Sequence, residues 1–206
     1  TKEIAENINL DLENFESLKN FILAKKIDLI VVGPEKPSVD GLVDHLENFK
    51  IKVFRPNKVA SRLEVSKIFT KKLCEKYKIP TAKFGIFLNL KSALSFLQNC
   101  NFPIVVKADG LAAGKGVYIS ENYTEASKAV EEIFDGKFGK AENLLIEEFL
   151  KGEEMSFFII SDGKSYKMFG TAQDHKRVFE GDKGKNTGGM GAYSPSRLES
   201  DKLNEK

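Results

Sequence analysis

The pattern of apolar and polar positions in the first quarter of the chain predicts helices and strands in alternation. Apolar residues recur at helical spacing over 4–26, and the later part of this stretch predicts an amphipathic helix. A nearly continuous apolar run over 27–32 is typical of a buried parallel strand. A helix over 39–49 and a short strand over 51–54 follow. This alternation indicates an α/β fold with parallel strands.

The rest of the chain predicts further helices and strands, followed by one long irregular stretch. The predicted elements are helices over 61–77, 90–98 and 124–134, the last capped by Thr124, and strands over 84–88, 103–106, 117–119, 144–150, 155–160 and 166–172. The last two strands should pair around a turn at 161–163. Residues 173–194 are polar, rich in glycine and without periodicity, so we expect a long functional loop there.

Composition limits the classes of protein to consider. The 206 residues are 41% hydrophobic and 30% charged, which suits a globular chain of one large or two small domains. A net charge of +2, with both signs mixed, argues against a nucleic-acid or membrane-surface partner. No apolar run reaches the ~18 residues of a membrane span. Cys74 and Cys100 lie outside any Cys/His cluster, which favours reduced thiols, a cytoplasmic location and no zinc site.

The stretch 102–119 carries the most distinctive chemistry. Two apolar strands flank a loop of glycine, alanine and lysine, in which backbone N–H groups can turn inward towards an anion such as phosphate. The loop is not a Walker A motif, because only three residues separate Gly110 from Gly114 and Lys115. A plain glycine hairpin is the alternative. Lys107 favours the anion site, since a lysine that ends an apolar strand needs a partner or water.

Other charged or glycine-containing segments permit two interpretations. Gly33, Pro34 and Glu35 follow the first predicted strand, where open α/β sheets bind ligands, but an ordinary strand-to-helix turn fits equally. The lysines of the 61–77 helix are most simply a solvated face. The acidic pairs 147–148 and 153–154 also fit solvated charge, with strand alternation exposing one member of each pair.

Seven segments, taken in order, resemble the ATP-grasp superfamily and, within it, the phosphoribosylamine–glycine ligase family, the glycinamide ribonucleotide synthetases of purine biosynthesis. The segments are VGPE (32–35), SKIFTK (66–71), IPTA (79–82), VVKADGLAAGKGV (105–117), IEEFLKGEE (146–154), QDHKR (173–177) and NTGGMGAYSP (186–195). The last two distinguish this family from its relatives. One departure is Arg55, where the family usually has Gly in a Phe-Gly-Pro turn, and a positive φ would not suit Arg.

The resemblance implies a fold class and a domain organisation. We expect an α/β protein, with the remainder of an N-terminal parallel α/β substrate-binding domain over 1–60 and an incomplete ATP-grasp (α+β) domain over 61–206. Within the latter, about 81–154 would form the mobile subdomain that covers ATP. The chain begins with Thr1 and is expected to be an internal fragment. The Glu and Asn that bind Mg²⁺ or Mn²⁺ are expected beyond residue 206, so no metal ligand is assigned within the chain.

The resemblance also implies how ATP is held. Lys67 and Lys107 would face the phosphates, the loop 112–116 would close over them, the backbone of an edge strand at 147–150 would hold adenine, and Glu154 would accept hydrogen bonds from the ribose. Lys107, Arg177 and Asn186 would act at the reaction centre. The full nucleotide set is Lys67, Lys107, Ala113, Gly114, Lys115, Gly116, Glu147, Glu148, Phe149, Leu150, Glu154, Lys176, Arg177 and Asn186.

The implied reaction joins glycine to 5-phosphoribosylamine through a glycyl phosphate, giving glycinamide ribonucleotide, ADP and phosphate. The substrate-binding residues would be Gly33, Pro34, Glu35, Asp174, His175, Thr187, Gly188, Gly189, Met190 and Gly191, with backbone N–H groups of the last segment contacting phosphoribosylamine. All partners would be small molecules. The alternatives are another ATP-grasp carboxylate–amine ligase or carboxylase, or, for these residues alone, a non-catalytic nucleotide-binding module.

Overall fold

A computed structural model describes residues 3–110, 116–139, 142–181 and 183–204, with backbone only for 183–186 and 204. The chain divides into two units, Thr1–Phe149 and Leu150–Lys206. Within the described ranges, no helix combines the length and apolar character needed to span a membrane.

The first part of unit 1 is a small parallel α/β layer. Its elements are α1 (Phe15–Lys25), β1 (Ile30–Val31), α2 (Glu35–Asp40), α3 (Leu42–Glu47) and β2 (Val53–Phe54). Strands β1 and β2 pair in parallel, which confirms that prediction. The long buried strand expected over 27–32 is wrong, because β1 has two residues and Val31 is 66% exposed. The single helix over 39–49 is also wrong, because Gly41, at φ +100°, separates α2 from α3.

Two helices replace the single helix predicted over 61–77. They are α4 (Lys58–Val65) and α5 (Lys67–Tyr77). The chain is extended at Ser66, with φ −109° and ψ 108°, and the Ser66 hydroxyl accepts a hydrogen bond from the N–H of Phe69 at 3.0 Å. A serine in this position caps a new helix, and the cap places the first turn of α5 at the candidate site.

A four-stranded antiparallel sheet completes unit 1. Its strands are β3 (Phe84–Phe87), β4 (Ile104–Ala108), β5 (Val117–Ser120) and β6 (Leu144–Glu148), in the order β3-β6-β4-β5. Helices α6 (Leu90–Leu97) and α7 (Tyr123–Phe134) cover one face, where Val106, Val130 and Ile146 are almost fully buried. Asn122, not the predicted Thr124, caps α7, because its side chain accepts from the N–H of Glu125.

Unit 2 contains the strands that follow. They are β7 (Ser156–Ser161), β8 (Tyr166–Asp174), β9 (Arg177–Phe179), β10 (Lys183–Asn186) and β11 (Ala192–Tyr193), followed by α8 (Asp201–Asn204). The β7–β8 pair confirms the predicted hairpin. The expectation of a structureless 173–194 is wrong, since β9 pairs with β10 and β11 pairs with β8. Backbone pairing therefore orders a polar segment that has no hydrophobic period.

Candidate active site

Lys107 has a buried partner on the neighbouring strand. Alternate residues of β4 and β6 face the α6–α7 core, so Lys107 and Glu147 lie together on the opposite face. Lys107 is aligned with Leu145, and Glu147 with Val105, which makes the two charged residues diagonal neighbours. Their side chains form an ion pair, with Glu147 only 7% exposed. This confirms that Lys107, as a charge at the end of an apolar strand, needs a partner.

Lys71, which lies on α5, contacts the same carboxylate of Glu147. Its Nζ lies 2.6 Å from Oε2 of Glu147 and donates hydrogen bonds to Oγ1 of Thr81 (2.7 Å) and to the carbonyl of Ala82 (3.2 Å). Lys71 is 9% exposed, so the solvated-face interpretation is wrong for this residue. Sequence reasoning missed Lys71 as a member of the site, and only its place one helical turn after Lys67 marked it.

Asp109 connects the first turn of α5 to the base of the glycine loop. Its carboxylate accepts hydrogen bonds from the Ser66 hydroxyl (3.0 Å) and from the N–H of Ile68 (3.2 Å). Lys67 donates from Nζ to the carbonyl of Gly110 at 3.1 Å, so it too departs from the solvated-face interpretation. A carboxylate at a helix N-terminus satisfies free N–H groups and is favoured by the helix dipole.

Lys67, hydrogen-bonded to the carbonyl of Gly110, lies at the end of β4 that carries Lys107. The pKa of Lys67 is lowered, chiefly because burial disfavours the charged ammonium. The negative charge of Asp109 opposes this change, and the positive charge of Lys107 adds to it. The structure thus brings two predicted phosphate lysines to one end of the sheet, beside the loop.

The glycine loop is described only at its two ends. Gly110 has φ +101°, a conformation that favours glycine, and the carbonyl of Gly116 accepts from the N–H of Ala108 at 2.8 Å. The predicted flap residues Ala112, Ala113, Gly114 and Lys115 lie outside the described residues. Closure of the loop over phosphate stays a prediction.

The prediction that adenine is held by an edge strand is wrong in one respect, because β6 is not at the edge of its sheet. Strand β6 lies between β3 and β4, so the backbone of Glu147 is aligned with Phe84 on one side and Val105 on the other. The N–H of Glu148 donates to the carbonyl of Lys83 at 3.0 Å. The ladder ends at Glu148, and the backbone of Phe149 and Leu150 follows it.

The two glutamates of β6 differ as strand alternation predicts. Glu147 is buried and Glu148 is exposed. The carboxylate of Glu148 accepts from the N–H of Lys83 at 2.9 Å. Solvated charge therefore describes Glu148 and not Glu147. The prediction that strand alternation exposes only one member of a pair is wrong for Glu153 and Glu154, because both are exposed and neither lies in a strand.

Gly33 and Pro34 occupy the turn from the carboxyl end of β1 into α2, as the sequence predicted, and Glu35 is the first residue of that helix. Arg55, directly after β2, donates from Nη1 to the carbonyl of Gly33 (3.0 Å) and of Val32 (3.3 Å). Its Nη2 donates to Glu64 at 3.3 Å. The non-glycine residues with positive φ in the described part of the chain are Lys26, Lys50 and Lys78. Arg55 therefore fits without backbone strain, and it links the turn to the neighbouring strand.

In unit 2, strand pairing brings the segments 173–177 and 186–191 together. Arg177 is aligned with Asn186, and Asp174 with Ala192. Three backbone hydrogen bonds join the two segments. The N–H of His175 donates to the carbonyl of Gly191 (2.9 Å), and the N–H of Met190 donates to the carbonyl of His175 (2.8 Å). The N–H of Thr187 donates to the carbonyl of Lys176 (2.7 Å). The N–H of Gly189 donates to the Thr187 hydroxyl at 3.0 Å.

These hydrogen bonds involve N–H groups that were expected to contact phosphoribosylamine. The N–H groups of Thr187, Gly189 and Met190 donate within unit 2, and binding of phosphoribosylamine by this segment stays a prediction. Gly189, at φ +114°, allows the segment to fold back on residues 174–176.

Glu154 and Lys176, both assigned to nucleotide, form an ion pair with each other. Lys176 also lies 4.0 Å from Asp174. The pair is largely exposed, so it contributes little to stability and can open for a ligand. Arg197, which the sequence did not single out, holds Glu153, with Nη2 2.6 and 2.7 Å from its two carboxylate oxygens.

Metal binding is not assigned to the described ranges. Within them, no group of three or more His, Cys, Asp or Glu side chains is arranged to hold a metal ion. The expectation that Mg²⁺ or Mn²⁺ ligands lie beyond residue 206 stays a prediction.

A lysine-lined sheet end with a glycine loop, followed by a separate unit of antiparallel strands, is the arrangement of ATP-grasp proteins. The biotin carboxylase domain of Hydrogenobacter thermophilus 2-oxoglutarate carboxylase shares the fold, with a TM-score of 0.71, at 19% identity over 96% of this chain and 45% of that chain. Family models for phosphoribosylglycinamide synthetase match the whole chain, the N domain at residues 1–64 and the ATP-grasp (A) domain at residues 65–206. The chain belongs to the phosphoribosylglycinamide synthetase family.

Individual relatives agree with this family. A phosphoribosylamine–glycine ligase from Mesorhizobium japonicum is 51% identical over 203 residues, which is 98% of this chain and 48% of the relative. The crystal structure of the phosphoribosylamine–glycine ligase from Thermotoga maritima matches with a TM-score of 0.81 and 31% identity, over 99% of this chain and 50% of that chain. The chain thus spans about half the length of the relatives it matches.

Proposed function

We propose that this chain carries the ATP-binding and part of the substrate-binding machinery of a phosphoribosylamine–glycine ligase. The reaction would be ATP + glycine + 5-phosphoribosylamine giving ADP, phosphate and glycinamide ribonucleotide in purine biosynthesis. The observation that carries the proposal is the convergence of Lys67 and Lys107 beside the glycine loop, in a chain 51% identical to a curated ligase of that name. Cys74 and Cys100 are free thiols, in agreement with the cytoplasmic location we propose.

The residues of unit 1 fit the phosphates of ATP. Lys67 and Lys107 supply positive charge at one end of the sheet, and charge-assisted bonds to phosphate are among the strongest hydrogen bonds. Gly116 and the preceding loop would exclude water, which would otherwise hydrolyse an acyl phosphate. For adenine, the backbone of Phe149 and Leu150 is the better candidate, because the ladder of β6 ends at Glu148.

The residues of unit 2 would serve the ribose and the reacting groups. Glu154 accepts hydrogen bonds from the ribose hydroxyls once Lys176 leaves it for phosphate. Arg177 and Asn186 orient the phosphoryl group, and Asp174 and His175 contact the amino substrate. A divalent cation, held by residues beyond 206, would neutralise charge on the phosphates. The chain's own contribution is positioning and charge neutralisation.

Phosphoribosylamine would bind at the turn of Gly33, Pro34 and Glu35, which Arg55 braces. We also propose that 1–60 and 61–206 act as separate domains and that about 81–154 cover ATP. The separate hydrophobic core shared by the four-stranded sheet, α6 and α7 supports a subdomain of about that extent.

The test is substrate dependence in the full-length protein. ADP release should require both glycine and freshly prepared phosphoribosylamine, and mass spectrometry should identify glycinamide ribonucleotide. Lys107→Ala should weaken ATP binding about ten- to a hundredfold, because it removes charge-assisted bonds worth about 1.5–3 kcal/mol. Lys72→Ala, at an exposed lysine of α5, should leave ATP affinity unchanged.

Two results would contradict the proposal. ADP release driven by a different acid or amine would favour another ATP-grasp ligase or carboxylase. ATP affinity that is unaffected by Lys107→Ala would remove the phosphate assignment.

A further inference from the structure

The buried charge cluster around Glu147 contains more positive than negative charge. One carboxylate, 7% exposed, contacts two ammonium groups, that of Lys71 at 2.6 Å and that of Lys107. Buried charges are costly unless they are paired. One positive charge of the cluster is therefore not matched by Glu147.

The environments of the two lysines indicate which of them balances the carboxylate. The Nζ of Lys71 donates hydrogen bonds to Thr81 and Ala82 and lies 2.6 Å from Oε2 of Glu147 as an ion pair. The Lys71 side chain is 11% exposed, against 25% for Lys107. Lys71 is therefore committed to protein partners, while Lys107 lies at the open side of the cluster.

We propose that Lys71 is a positioning residue of the anion site, which neutralises Glu147 and so keeps the charge of Lys107 available to phosphate. Without Lys71, the buried carboxylate would hold Lys107 as its sole counter-ion, and an incoming phosphate would have to compete with it. Glu147 acts through its side chain, which orients Lys107. The inference rests on the proposed function in one respect, which is the identity of the ligand. The negative charge of the ligand does not depend on that function.

A charge-exchange series in the full-length protein tests the inference. The variants are Lys71→Met, Glu147→Gln, the double variant Lys71→Met/Glu147→Gln, Lys107→Met and the control Lys72→Met. Affinity is measured by calorimetry for two probes, ATP and inorganic tripolyphosphate. The second probe reports the anion site even if the nucleotide assignment fails.

We expect Lys71→Met to weaken both probes about tenfold or more, because Lys107 is then held by an unbalanced carboxylate. The double variant should regain affinity to within about threefold of the parent, because no buried carboxylate remains to hold Lys107. Lys107→Met should lose binding in every background, and Lys72→Met should bind as the parent does. Recovery in the double variant is the diagnostic result when urea denaturation shows Lys71→Met as stable as the parent, since a merely structural ion pair would change stability and affinity together.

Other outcomes overturn the inference. Parental affinity in Lys71→Met, or a double variant that binds no better than Lys71→Met, excludes a role in charge balance. If Lys71→Met does not fold, as judged by circular dichroism, Glu147→Gln decides. It should bind tripolyphosphate at least as tightly as the parent and with a steeper dependence on salt, and weaker binding would contradict the proposal. A parent protein that binds tripolyphosphate but not ATP would instead point to failure of the proposed nucleotide function.

Discussion

At the scale of single residues, Lys67 shows how burial lowers the pKa of an ammonium group. Its pKa lies below the ordinary 10.5, mainly through burial, and the nearby Lys107 adds to the effect. In the window between the lowered pKa and 10.5 the folded state binds fewer protons than the unfolded state. Stability therefore rises with pH across this window.

Nucleotide binding should reverse that shift. Phosphate oxygens beside Lys67 would favour its charged form, so ATP binding at a pH between the lowered pKa and 10.5 should take up a proton. Calorimetry in two buffers of different ionisation enthalpy would measure the uptake as a difference in apparent binding enthalpy. Lys67→Met should abolish the difference and Lys72→Met should retain it. Equal proton uptake in Lys67→Met and the parent would show that another group is responsible.

At the scale of elements, the start of α5 depends on Asp109 as well as on Ser66. Asp109→Ala removes two hydrogen bonds and a favourable charge from the helix N-terminus. We expect the free energy of unfolding to fall by about 1–3 kcal/mol, measured by urea denaturation. Asp28→Ala, at an exposed position of the same unit, should change it by less than about 0.5 kcal/mol. Similar losses in both variants would argue against this link between β4 and α5.

The same elements show what sequence patterns could and could not predict. Alternation and helical spacing predicted most strands and helices, and Lys107 was noticed because it interrupts an apolar strand. Ser66 was missed as a helix start, because helical apolar spacing continues on both sides of it. The role of Lys71 depends on the register between β4 and β6 and on where α5 packs. Both arise from tertiary contacts that no local pattern encodes.

At the scale of the whole molecule, large apolar side chains of unit 2 remain accessible. Phe157, Phe158, Ile159 and Ile160 of β7 are 44, 47, 53 and 43% exposed, so both faces of the strand are uncovered. Exposed apolar strands favour association with other chains. The chain spans about half the length of the relatives it matches.

We therefore expect residues 1–206 alone to bind nucleotide weakly, to release no phosphate in a glycine-dependent way and to associate as concentration rises. The reasons are the expectation that the Mg²⁺ or Mn²⁺ ligands lie beyond residue 206 and the exposed faces of β7. Phosphate release with ATP, glycine, phosphoribosylamine and Mg²⁺ tests activity, and light scattering tests association. Sustained glycine-dependent release, lost in Lys107→Ala, would show that these residues form a complete active site.

The strand order β3-β6-β4-β5 also has a consequence for folding. The β4–β5 hairpin joins segments close in sequence. In contrast, β6 must insert between β3 and β4, which both lie far before it in the sequence. Loop closure makes such non-local pairing slow. Because Glu147 lies on β6, the Lys71–Glu147–Lys107 cluster forms only when this last strand has entered the sheet. A ligand that needs the cluster would bind the finished sheet and not its precursors, and so would stabilise completely folded chains selectively.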